Sequence, residues 1–168
     1  GTLFRGLAAS PTAGAITIDF AAQTQFSCSW VVVEFTDADT ATNQGIVQSA
    51  TKGASDATGT DTVTLAAFAS SSNATYGTMG LNRASITAIT PGTGFTEMAE
   101  NAVYESNMSE SEFKNSADTS VDWSWDGTGG AIRAMIAVEI AVGGAPDIVS
   151  TLRNIETPVF RKVGVVSY

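Results

Sequence analysis

Histidine is absent from the 168 residues. With it go Ser-His-Asp and Cys-His nucleophilic catalysis and every zinc site built on imidazole. Cysteine occurs once, so no internal disulfide can staple the chain and the fold must stand on packing. Cys28 lies in an apolar stretch with Phe26, Trp30 and Val32, and the nearest basic residues, Arg5 and Lys52, are far off in sequence. It therefore reads as a small buried hydrophobe and not as an activated thiol. Charge is scarce too: 15% of residues are charged, against roughly 25% in ordinary soluble domains. Eight basic against seventeen acidic side chains leave a net charge of −9, which argues against nucleic acid and against anionic membrane surfaces. No apolar run approaches the roughly 18–20 residues of a spanning helix, so no membrane insertion is expected.

What is present is Thr, Ser, Ala and Gly in quantity, with a period-2 alternation that recurs along the chain. Ile16, Ile18 and Phe20 alternate with Thr17 and Asp19, which predicts a strand over Ala15–Phe20. Gln25–Thr36 predicts a longer strand with Trp30 and Val32 in the core. Further strands are expected at Gly45–Ala50, Asp61–Phe68, Ala74–Leu81, Phe95–Tyr104, Glu110–Asn115, Ser120–Trp125 and Ala131–Val142, the last with Ile136 and Val138 in the core. Clusters of Gly, Asn, Asp and Ser separate them, as turns require. Many short strands at this spacing predict an all-β fold, an antiparallel β-sandwich of jelly-roll type, with an antiparallel barrel as the competing architecture. Ile18-Asp19-Phe20 with Val33-Glu34-Phe35 is echoed by Val121-Asp122-Trp123 with Val138-Glu139-Ile140, a pattern that two similar halves would produce.

After Val142 the character changes. Gly143-Gly144-Ala145-Pro146 punctuates the end of a sandwich domain spanning 1–145. A C-terminal arm, 146–168, follows as a short helix over Asp147–Ile155 and an extended apolar segment. Val159, Phe160, Val163 and Tyr168 of that segment need a surface to cover, and Arg161 and Lys162 favour an acidic one, which other copies of this chain offer.

Three residue sets carry candidate chemistry. Glu110 and Glu112 stand two apart on one strand face, the kind of pair that glycosidases use. Their neighbours Ser109, Ser111 and Lys114 read as a solvated face without the aromatics that would hold a sugar ring, so no catalytic residues and no enzyme activity are expected. Asp37, Asp39, Asp56 and Asp61 fall in predicted loops or at their edge and are the candidate oxygen ligands for calcium, the possible cofactor, although the EF-hand spacing is missing and Asx turns explain the same residues. Trp123 and Trp125 share one face of their strand; with Tyr76 and Tyr104 they are the candidate platform for stacking a glycan. For Trp123 and Trp125 the core is the favoured reading, since their alternation with polar residues is that of any half-buried strand and Val121 continues their face. The sequons Asn73-Ala74-Thr75 and Asn107-Met108-Ser109 match the glycosylation pattern.

Ser29-Trp30-Val31-Val32-Val33-Glu34-Phe35 leading into Asp37-Ala38-Asp39-Thr40, then Thr90-Pro91-Gly92-Thr93-Gly94-Phe95-Thr96-Glu97, Ser124-Trp125 and Ala137-Val138-Glu139-Ile140 give the run from Gly14 to Val142 a family character. It resembles the jelly-roll domains in virion proteins of tailed bacteriophages and in some bacterial surface proteins. The resemblance implies a capsid decoration, tail or fibre component, located in the virion and partnered by its own copies or by a capsid or tail protein. None of its motifs is catalytic, and fold-level likeness does not by itself assign a function. The alternative it leaves is a carbohydrate-binding or adhesion module of a phage, extracellular or cell-surface protein, recognising glycans. A hydrolase is the third class.

Overall fold

The computed structural model describes residues 3, 31–35, 38–39, 45–56, 59–82, 86–103, 107–126 and 131–143. Among them are eight strands and no helix: β1 (Ile46–Asp56), β2 (Thr60–Thr64), β3 (Ala74–Asn82), β4 (Ile89–Pro91), β5 (Thr96–Val103), β6 (Asn107–Lys114), β7 (Ser120–Trp125) and β8 (Ala131–Ile140). They form two antiparallel sheets, one of five strands in the order β1-β8-β3-β6-β5 and one of three in the order β2-β7-β4. The all-β sandwich expected from the alternation is present. Of the consecutive described strands, only β5 and β6 pair with each other; every other consecutive pair lies in different sheets.

Alternation decides which residues go inside. On β8, Arg133, Met135, Ala137 and Glu139 are buried toward the short sheet, while Val138 and Ile140 face outward. The inter-sheet core joins Met79 and Leu81 of β3, Met108 of β6 and Met135 of β8 to Val63, Val121, Trp123 and Trp125 of the opposite sheet. A second cluster lies on the outer face of the long sheet, where Ala74, Tyr76, Met98, Val138 and Ile140 are covered by Val33 and Phe35. The Phe35 ring meets Tyr76 edge-on with centroids 5.8 Å apart.

Several expectations change. Val32, expected in the core, is 42% exposed, because Val33 and Phe35 occupy the phase that meets the sheet. Ile136 is half-buried, and Val138 is buried as expected. Strand β4 is an addition; its Pro91 breaks the sequence signal but is tolerated at the end of an edge strand, where no ladder hydrogen bond is lost. Of the predicted strand at Gln25–Thr36, residues 31–35 are described and belong to no strand, although Val33 and Phe35 pack on the sheet. Residues 25–30 and 36 of it, Cys28 among them, the predicted strand at Ala15–Phe20, the helix at Asp147–Ile155 and the arm residues Val159, Phe160, Arg161, Lys162, Val163 and Tyr168 lie outside the described residues.

Candidate functional site

The β5–β6 hairpin concentrates carboxylates on its inner face. Its register sets Glu100 opposite Glu110 and Glu97 opposite Glu112, and directly opposed residues of an antiparallel pair share a face. A bulge between Glu97 and Ala99 lets two glutamates three positions apart on β5 point the same way, while Met98 packs in the outer cluster. Four like groups thus form two cross-strand pairs. Such pairing is destabilising if all are ionised.

Three of the four reach across the sandwich to the short sheet. The Trp123 indole Nε1–H donates to Glu110 Oε2 at 2.6 Å, the Gly92 backbone N–H donates to Glu112 Oε2 at 2.8 Å, and the Ile89 N–H donates to Glu100 Oε2 at 2.7 Å. Two glycines make this approach available. A Cβ on Gly77 of β3 would stand 2.6 Å from Val121 Cγ1 and 2.7 Å from Trp123 Cζ2, so the indole lies in space that only glycine leaves open. A Cβ on Gly92 would meet the Asp122 carbonyl oxygen at 2.7 Å. Gly92 opens a turn closed by the Phe95 N–H donating to the Gly92 carbonyl at 3.0 Å, with Gly94 at φ 81°, a value that favours glycine.

Glu110 and Glu112 have no exposed surface, and the second oxygen of each, Oε1, has no hydrogen-bond partner. Here the solvated-face reading of these two residues is overturned: the face they share is the interior one. Desolvation by burial pushes the Glu110 carboxyl up to about 8, with the Glu112 charge adding to it and the Trp123 hydrogen bond opposing it. Burial likewise pushes Glu112 up to about 8, against the Gly92 hydrogen bond and with Asp122 and Asp118 adding repulsion. Burial thus favours the protonated form of both at neutral pH. With no accessible surface, neither can touch a substrate in this conformation.

Two other acidic residues are buried for a different purpose. Glu139 of β8, fully buried, accepts from Gln48 Nε2 at 2.6 Å, Asn73 Nδ2 at 2.6 Å and the Ala69 N–H at 2.9 Å. It ties β1 and the segment ahead of β3 to β8. Asp61 of β2 takes ion pairs from Lys52 of β1 and from Arg133 of β8. Burial works against its ionised form, but those hydrogen bonds, with one from the Thr62 N–H, hold its carboxyl below the usual range. The Arg133 guanidinium also lies over the Trp125 ring at 5.2 Å.

Of the four expected calcium ligands, Asp39 and Asp61 are described with their side chains, and they lie apart in the fold. Asp61 is spent on two cations; Asp39 is half-buried beside the Ala38–Val142 bridge; Asp56 ends β1 opposite Ala131; Asp37 lies outside the described residues. Among the described residues no three His, Cys, Asp or Glu are placed to hold a metal ion. Three of the four aromatic candidates are buried. Trp123 and Trp125 are in the inter-sheet core, Tyr76 is buried beneath Phe35 on the opposite side of the long sheet, and Tyr104 lies outside the described residues. Sequence reasoning missed Arg133 and Glu139 as buried polar residues, and the half-buried Glu100 and exposed Glu97 as neighbours of the Glu110 and Glu112 pair. A carboxylate among apolar residues on a strand is the available signal for Glu139; for Glu97 and Glu100 the bulge hides it.

The chain matches no protein-family model, no curated protein and no solved structure.

Proposed function

We propose that the chain is a non-enzymatic structural module that assembles, within a virion, with its own copies or with a capsid or tail protein. The observation that carries this reading is the outer edge of β1. This strand runs for eleven residues, pairs with β8 along one side, and has no described strand along the other. An edge of that length presents a row of backbone donors and acceptors to which a neighbour can add a strand. The most conspicuous carboxyl and indole side chains, Glu110, Glu112, Glu139, Trp123 and Trp125, are enclosed in packing or cross-sheet bonds, which supports a scaffold more than a recognition surface. In this proposal jelly-roll connectivity completes the sandwich, and the extended part of 146–168 is the strand that a neighbour receives.

Sedimentation velocity and electron microscopy of the full chain and of a variant lacking residues 146–168 test it. The full chain forms a defined oligomer or joins a lattice, and the truncated chain stays a folded, soluble monomer. A full chain that remains monomeric at high concentration overturns the assembly reading. A truncated chain that unfolds shows instead that the arm belongs to its own domain.

A further inference from the structure

We propose that Glu110 and Glu112, with Glu100, form a proton-operated clasp that closes one side of the sandwich when the pair is protonated and opens it when the pair ionises. The placement is specific. β5 is the edge of the long sheet and β4 the edge of the short one. The bond from Ile89 to Glu100 joins those two edges, the bond from Gly92 to Glu112 joins the turn after β4 to β6, and the bond from Trp123 to Glu110 joins β7 to β6, the strands just inside the edges. All three donors are N–H groups, so each carboxyl accepts its bond in either protonation state. What changes on ionisation is charge: two buried carboxylates, each with an oxygen that nothing solvates, facing Glu97 and Glu100 across the hairpin.

The surrounding charges do not relieve this. On β6 itself Lys114 is engaged by Asp118 at 2.6 Å. The neighbouring side chains of Glu97 and Glu100 on β5, Asp118 after β6 and Asp122 on β7 are all acidic and favour the protonated pair. The described part of β4 and its turn, Ile89–Phe95, has no charged residue, and on β3, Ala74–Asn82, the one acidic proton is that of Tyr76, whose hydroxyl donates to Ser111. Arg133 on β8 is committed to Asp61. Separation of the edges is the route by which the ionised pair regains water.

The sign follows from linkage. The folded carboxyls bind protons more tightly than unfolded ones, whose ordinary value is 4.5. Stability from the clasp is therefore complete below that value and falls as pH rises toward 8, by up to about tenfold in the folding constant per carboxyl per pH unit.

Hydrogen exchange and carboxyl NMR on the full chain test the proposal. Protection of the Ile89 and Gly92 amides, corrected for intrinsic exchange, falls at least tenfold between pH 5.5 and 8.5 while amides of the β1–β8 ladder hold theirs. In the Glu110→Gln/Glu112→Gln variant that fall is lost. Should the double variant fail to fold, the wild-type titration decides. Two glutamate carboxyls titrating above pH 6.5, together with the Trp123 indole N–H resonance, support the clasp, and titration of every glutamate below pH 6 overturns it. Uniform loss of protection across both sheets also overturns it, as does calcium at millimolar concentration abolishing the pH dependence through Glu110 and Glu112, since a cation would then be neutralising the cluster.

Discussion

Gly77 shows how much of the site depends on one missing side chain. It sits in the middle of β3 with Val121 and Trp123 closer than a Cβ allows. Gly77→Ala has to push the indole, and the indole holds Glu110. Overpacking of this kind costs roughly 1–3 kcal/mol. Chemical denaturation is expected to show a loss in that range, where an exposed Gly→Ala in a strand would gain stability. Gly80, three positions on, has nothing near its missing Cβ and is the matched control. At this same scale Glu139 and Glu110 separate two meanings of a buried glutamate. The first has three donors on its two oxygens, the second one donor on one oxygen.

Among the elements, β2 and β8 are joined by a charge pair placed inside the sandwich. Arg133 and Asp61 have 2% and 5% of their side-chain surface exposed, while Lys52 reaches Asp61 from a half-exposed position. Removing one partner of a buried pair leaves an uncompensated charge, which typically costs about 3–5 kcal/mol. Arg133→Met is expected near the low end, since Lys52 still faces Asp61. Arg133→Met with Asp61→Leu is expected to recover most of the loss, as apolar replacement of a whole buried pair often does. Urea denaturation of the single and double variants measures this, and a double variant as unstable as the single one would mean that the Arg133 stacking on Trp125 carries the energy. The hairpin of β5 and β6 stands apart because its cross-strand partners are carboxylates. Its contribution to stability depends on protons, and that of the β2–β8 pair depends on their absence.

For the whole molecule these opposite dependences predict a narrow optimum. Asp61 is held below the ordinary 3.8 despite burial, through Lys52 and Arg133; Asp118 is held low in the same way through Lys114 and the Ser120 N–H. Their contribution is present above that value and is lost as pH falls through the folded pKa. Glu110 and Glu112 contribute below 4.5 and lose their contribution toward pH 8. Thermal unfolding as a function of pH is expected to peak between about 4 and 5 and to decline on both sides. In the Glu110→Gln/Glu112→Gln variant the alkaline decline is expected to flatten while the acid limb stays. A wild-type maximum at pH 7 or above would contradict the protonated state of the pair.

Period-2 alternation by itself determined the all-β class, most strand positions, the inward phase of Trp123 and the burial of Val138, because a sheet with a buried face demands apolar residues at every second place. The absence of histidine and the lone Cys28 likewise settled, without coordinates, which catalytic chemistries and which covalent staple the chain cannot have. The fate of Glu110 and Glu112 was decided only in three dimensions. Serine, glutamate and lysine side by side look solvated along one strand, and β6 is interior because β3 covers one edge, β5 the other, and β4 and β7 its face. The convergence of Glu97 and Glu100 on that pair depends on a bulge, and Arg133 meets Asp61 across 72 positions of chain. Register, bulges and partners so distant in sequence follow from how the sheets close on each other, a global balance of burial that no local window of residues contains.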